Sequence, residues 1–93
     1  MAANNDFRAC KRVLCVIKDA KSKVFFPPFV SDNSEAAKRS FQASIKRGSD
    51  FVLSTFSADF DLWLTGEFDE LTGMITPCPA LVHLANGADY ANN

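Results

Sequence analysis

Between Asp59 and Ile75 the chain reads DFDLWLTGEFDELTGMI, with apolar and polar positions in a two-residue rhythm. Phe60, Leu62, Leu64, Gly66 and Phe68 alternate with Asp61, Trp63, Thr65 and Glu67. Successive side chains of a strand point to opposite faces, so the rhythm predicts one apolar face and one mixed face. The DELTG that follows predicts a tight turn in which Gly73 supplies a positive φ. Met74-Ile75-Thr76 then starts a return strand, which Pro77 is expected to stop. Upstream, Arg12 to Ile17 (RVLCVI) is β-branched and apolar on both faces, Val13, Cys15 and Ile17 against Leu14 and Val16. That pattern fits a central strand covered on both sides. DAKSK reads as a polar turn, and VFF before Pro27-Pro28 as a short second strand at an edge.

The rhythm then lengthens. Ser31-Asp32-Asn33-Ser34 supplies helix N-cap candidates, Glu35 sits in the first turn, and Gly48 is a C-terminal stop signal. A helix from Ser34 to Arg47 follows, about 20 Å long at ~1.5 Å per residue. Ala37, Phe41 and Ile45 make its apolar stripe beside Ala36, Ser40 and Ser44, while Lys38, Arg39, Gln42 and Lys46 occupy much of the rest. FVLSTF (51–56) suits a short strand or a packed loop. Beyond Pro77-Cys78-Pro79 come a brief apolar piece, Ala80 to Ala85, and a turn-rich NGADYANN expected to fray.

Two strands, a helix and two strands predict an α+β domain, a two-layer ββαββ arrangement with one helix packed on one face of an antiparallel sheet. The expected organisation is a flexible arm at 1–10, the domain at 11–77 and a partly ordered tail at 78–93. The sheet face away from the helix would carry Leu14 or Val16 beside Trp63 without cover. An uncovered apolar patch of this kind marks an interface, and a homodimer is the expectation.

Size sharpens that expectation. A chain of 93 residues buries only about 60–65% of its unfolded surface, although nine Phe, one Trp and one Tyr bury large areas each. The cysteines, Cys10, Cys15 and Cys78, are odd in number, no apolar leader precedes them, and no run approaches the ~18 apolar residues of a membrane span. Free thiols in a reducing cytoplasm, with no membrane contact, are the simplest reading. The net charge of −1 conceals an asymmetry: all ten Lys and Arg precede Gly48 together with four acids, giving +6, and seven acids follow it, giving −7. Such a split fits either a basic face for an anion or two halves that neutralise each other.

Lys21, Lys23, Lys38, Arg39, Lys46 and Arg47 are candidates for a surface that tracks phosphates, with aromatics among them to stack on bases. The competing reading is a solvated helix face. Trp63 is a possible stacking platform, but the two-residue rhythm sets it beside Asp61 and Glu67, which favours packing or dimer contact instead. Asp59, Asp61, Glu67 and Asp69 share a face by the same parity and would pair with basic strands or face water. His83, the single histidine, has no companions at metal-ligand spacing, and Cys10 and Cys15 do not form a CxxC pair. No triad, P-loop or nucleotide fingerprint is present. Catalysis, a cofactor, a metal and a small-molecule substrate are not expected.

Pro28-Phe29, Glu35-Ala36-Ala37-x-Arg39-x-Phe41 and Leu62-x-x-x-Gly66-x-Phe68-Asp69-x-x-Thr72-Gly73 occur in this order. The arrangement resembles the small non-structural protein of gokushoviruses, single-stranded-DNA microviruses of bacteria, across roughly Val13 to Ile75. None of these motifs is catalytic. The resemblance implies a non-virion protein of the infected bacterial cytoplasm that acts in genome replication and in the switch to single strands for packaging. It also implies contact with single-stranded DNA. Two alternatives stay open: an adaptor regulating a replication initiator or host factor without touching DNA, and a capsid-associated role.

Overall fold

Both edges of one strand are used, and that organises the sheet. The computed structural model describes residues 11–46, 53 and 55–91. Strand β1 (Lys11–Asp19) pairs along its whole length with β4 (Phe60–Asp69), from Lys11 opposite Asp69 to Asp19 opposite Phe60. Its other edge takes two short segments in succession, β2 (Val24–Phe25) and β3 (Phe29–Ser31). Pro27-Pro28 separates them because proline cannot donate to a ladder, yet Phe26 N–H still reaches the Ile17 carbonyl at 2.8 Å. The outer edge of β4 pairs with β5 (Ile75–Asn86). All these pairings are antiparallel, in the order β2-β1-β4-β5 with β3 also beside β1. Helix α1 (Ser34–Lys46) lies on one face, so the two-layer α+β expectation holds. A 3-10 turn (Ser57–Asp59) leads into β4, and a short helix α2 (Ala88–Ala91) follows β5.

Helix α1 starts where the sequence offered several caps, and the structure uses Asn33. Its side-chain oxygen accepts from Ala36 N–H at 2.8 Å and its carbonyl from Ala37 N–H at 3.1 Å. Ala37, Phe41 and Ile45 are buried against Cys15, Leu53, Phe60, Leu62 and Ala85. Phe41 is the largest contribution from the helix, and removing a buried ring of this kind costs about 3–5 kcal/mol. Residues 51, 52 and 54 of FVLSTF, the arm at 1–10 and the region of Arg47 and Gly48 lie outside the described residues; Leu53 packs in the core.

Three expectations are corrected. Pro77 does not stop the return strand: β5 runs through Pro77 and Pro79 to Asn86. Being an edge strand it tolerates missing donors, and its register against β4 jumps between Leu64 opposite Val82 and Gly66 opposite Pro77, looping out Cys78 to Leu81. Second, Asn86 to Tyr90, within the stretch expected to fray, are docked. Asn86 caps α2 by accepting from Ala88 N–H at 2.8 Å, and its amide donates to the carbonyls of Ala58 and Phe60 and to Asp61 Oδ1. Tyr90 meets Phe41 edge-on, ring centroids 6.2 Å apart.

Third, the parity of β4 breaks. Cys15 faces Leu64 and Leu14 faces Gly66, so Thr65 is an extra residue on β4, a bulge. Paired residues share a face, and a one-residue slip moves everything beyond it to the other side. Phe60, Leu62 and Leu64 therefore stay on the helix side. Gly66 and Phe68, paired with Leu14 and Arg12, turn to the open side with Trp63 and Val16. Glu67 and Asp69, expected beside Trp63 and Asp61, turn instead toward the helix side, opposite Val13 and Lys11.

Candidate nucleic-acid interface and the open sheet face

Arg39, Gln42, Ala43 and Lys46 recur three, four and seven positions apart, which places them on one side of α1. The buried positions Ala37, Phe41 and Ile45 occupy the opposite side. The four residues line a shallow groove of about 350 Å³. Neither Arg39 nor Lys46 has an acidic partner among the described residues. Lys46 lies in the last turn, where a cation complements the negative end of the helix dipole. Lys38 differs: its ammonium sits 3.4 Å from Glu35 Oε2 one turn back, on the flank of the helix. Arg47 lies outside the described residues.

Lys21 and Lys23 occupy the turn between β1 and β2. Lys21 N–H donates to Asp19 Oδ1 at 2.9 Å and Lys23 N–H to the Asp19 carbonyl at 2.7 Å. Lys23 adopts φ 63°, the left-handed region that glycine or asparagine usually fills. This turn and the last turn of α1 flank the same segment: Ala20 N–H donates to the Asp59 carbonyl, while Ile45 lies beside Gly87 next to Ser57. Lys21 shares its recess with Asp19 and Asp59, along with Phe56 and Phe60. The structure thus brings Arg39 and Lys46 together and leaves Lys21 and Lys23 as a separate cluster toward the same end of the sheet.

The open face is built differently. Val16 and Trp63 are register partners, and Leu14 follows along β1. Trp63 meets the His83 ring edge-on at 4.9 Å, and His83 Nε2 lies 2.9 Å from Asp61 Oδ1. The Trp63 indole N–H is buried with no acceptor among the described residues. Lys18 places its ammonium 5.4 Å from the Phe25 ring centre, within cation–π range. Val16, Phe25, Thr65 and Leu81 frame a small apolar recess. Parity alone missed Phe68, Val30 and Ile75 on this face; only the register reveals them.

Buried thiol chemistry is absent from these surfaces. Cys15 is fully buried, and burial, with Cys78 as a second contributor, pushes its thiol above the ordinary range. No cluster of three His, Cys, Asp or Glu suited to a metal occurs among the described residues, and no helix there is long and apolar enough to cross a membrane.

Compared with known protein families, the sequence matches the one described as Phage ORF5 protein over residues 12–90, nearly the whole chain. The chain belongs to the Phage ORF5 protein family. The match runs past Pro77 and takes in β5 and Tyr90, so this bacteriophage family includes the docked C-terminal segment as well as the sheet and α1. No curated protein and no solved structure matches the chain.

Proposed function

We propose that this Phage ORF5 protein is a non-structural accessory protein of a single-stranded-DNA phage of the gokushovirus group. It binds single-stranded DNA without sequence preference while the genome is replicated and passed to packaging. It works in the cytoplasm of the bacterial host and catalyses no reaction. The observation that carries the reading is the stripe of Arg39 and Lys46 on the outer side of α1, two cations with no acidic partner among the described residues, around an open groove. A polyanion is the natural counter-charge for such a stripe. Lys21 and Lys23 add two cations toward the same end of the sheet, with Phe26 exposed beyond them at the exit of β2. Rings beside cations are what sequence-tolerant single-strand binding uses.

The test is fluorescence anisotropy with a labelled single strand of about 30 nucleotides, titrated at two salt concentrations. Four cations on phosphates give a slope of log K against log salt of about −2.8, hence roughly a 50-fold loss between 50 and 200 mM salt. Arg39→Gln with Lys46→Gln halves that slope to about −1.4 and weakens binding at low salt. Lys38→Gln, already matched by Glu35, changes it little. Binding by the double variant that equals wild type at both salts removes α1 as the site.

A second reading, an adaptor for a replication initiator or host factor, has its own observation. Leu71 and Met74 are exposed at the β4–β5 turn, close to Asp69 and Glu70. Loss of partner capture in a Leu71→Ser, Met74→Ser protein that keeps its DNA affinity favours the adaptor.

A further inference from the structure

We propose that the open sheet face is the interface of a two-fold homodimer, packed sheet against sheet. The argument begins with the bulge at Thr65. Because it turns Phe68 outward, both halves of β4 present an aromatic on the face that α1 does not cover, Trp63 and Phe68. The outer strands supply the rest: Val30 on β3 pairs with Leu14, and Ile75 on β5 pairs with Phe68. Phe25 is 39% exposed, Val30 49%, Ile75 55% and Leu81 41%. Those four alone leave roughly 300 Å² of apolar side chain in water, and the partly exposed Leu14, Trp63 and Phe68 raise it by roughly half again. A stable interface of ordinary size buries about 800 Å² per partner, a little under 60% of it apolar. The face supplies the apolar share of such an interface.

Charge decides between a second copy and nucleic acid. Arg12 on this face is held by Asp32 and, at 3.2 Å, by Glu70. Asp61 is held by His83 and Asn86. Lys18 lies over Phe25 and opposite Asp61 in the register. Arg12 and Asp61 are answered within the chain and Lys18 has only the Phe25 ring and a cross-strand carboxylate beside it, so the face offers a polyanion little, whereas a largely apolar patch can meet its own image about a two-fold axis. Two sheets stacked this way lie about 10 Å apart, a normal sheet-to-sheet spacing. Each α1 then faces outward, so this dimer neither needs nor blocks the proposed DNA stripe.

The experiment is light scattering on size-exclusion fractions of the full chain from about 1 to 100 µM, with Val30→Glu, Ile75→Glu and Val82→Glu variants. All three positions are about half exposed, so each variant folds, as circular dichroism verifies. Val82 pairs with Leu64 on the helix side and serves as the control. The expected result is twice the chain mass for wild type and Val82→Glu. For Val30→Glu and Ile75→Glu it is the chain mass, with dimer affinity weakened at least 100-fold. A wild type at the chain mass throughout overturns the proposal, as does a dimer that tolerates both face substitutions. A monomeric wild type whose DNA affinity falls in Val30→Glu and Ile75→Glu also overturns it, assigning the face to DNA.

Discussion

Replacing Gly87 by alanine tests the packing of the C-terminal segment more sharply than any truncation. The Gly87 N–H donates to the Phe60 carbonyl at 2.9 Å, closing the segment onto the start of β4. A Cβ at this position would lie 2.0 Å from the Ser57 carbonyl oxygen, 2.7 Å from its carbon and 3.0 Å from Ile45 Cδ1. The Ile45 methyl can rotate away. The Ser57 carbonyl cannot, because it belongs to the backbone of the 3-10 turn. To reach an ordinary contact distance the two backbones must part by roughly 1 Å, against interiors that are close-packed. Either the bond to Phe60 is lost, leaving a buried group unpaired at about 1–3 kcal/mol, or the turn lifts off the core at an overpacking cost of about 1–3 kcal/mol. About 2 kcal/mol is therefore expected. With a urea slope of about 1.5 kcal/mol per molar, the unfolding midpoint should fall by about 1.3 M. Gly73→Ala provides the contrast: nothing lies within 4 Å of its Cβ, but φ is 76°. Only the left-handed backbone is penalised there, at about 1 kcal/mol. A Gly87→Ala midpoint within about 0.3 M of wild type, or one lost less than in Gly73→Ala, refutes the reasoning.

Two further outcomes follow from the turn and the thiol. Lys23→Gly should raise stability by about 0.5–1 kcal/mol, since a left-handed φ no longer opposes a side chain; if Lys23 contacts phosphate, the same variant lowers DNA affinity while its melting temperature rises. Cys15 should resist a thiol reagent in native protein while Cys78, partly exposed, reacts first. The Cys15 pKa is raised on folding, so above the unfolded value of ~8.5 the unfolded state binds fewer protons and stability falls as pH climbs toward the folded value. Cys15→Ala should flatten that decline, as urea titrations at pH 8 and pH 10 would measure.

Much of the fold was legible because it is written locally. The β-branched run in β1, the cap cluster before α1 and the Asp69–Gly73 turn each carry their structure in a few neighbouring residues. The turn closes as expected, with Gly73 N–H donating to the Asp69 carbonyl at 2.7 Å. What escaped depends on distant partners. Proline 77 reads as a strand end until β5 is known to be an edge, where a missing donor is tolerated. Asn86 reads as a turn residue until Ala58, Phe60 and Asp61 are brought to its amide. The bulge is invisible because apolar and polar residues keep alternating straight through it; only the pairing with β1 shows the slip. For the same reason the stripe of Arg39 and Lys46 was within reach of helical spacing, whereas Phe68, Val30 and Ile75 on the open face were not.

The bulge at Thr65 also resolves a mismatch of lengths. Helix α1, with 13 residues, spans about 20 Å, and β4, with 10 residues, about 33 Å. One short helix cannot roof the whole strand, and an unbroken alternation would leave Phe68 overhanging beyond it. Shifting the phase once lets a single amphipathic strand serve two roofs, the helix over its first half and whatever meets the opposite face over its second. Deleting Thr65 would remove the bulge yet keep the phase, because Gly66 would then follow Leu64 directly opposite Leu14, with Phe68 still facing outward. Half of this strand is thus addressed to the chain's own interior and half to the outside, and one residue sets the boundary.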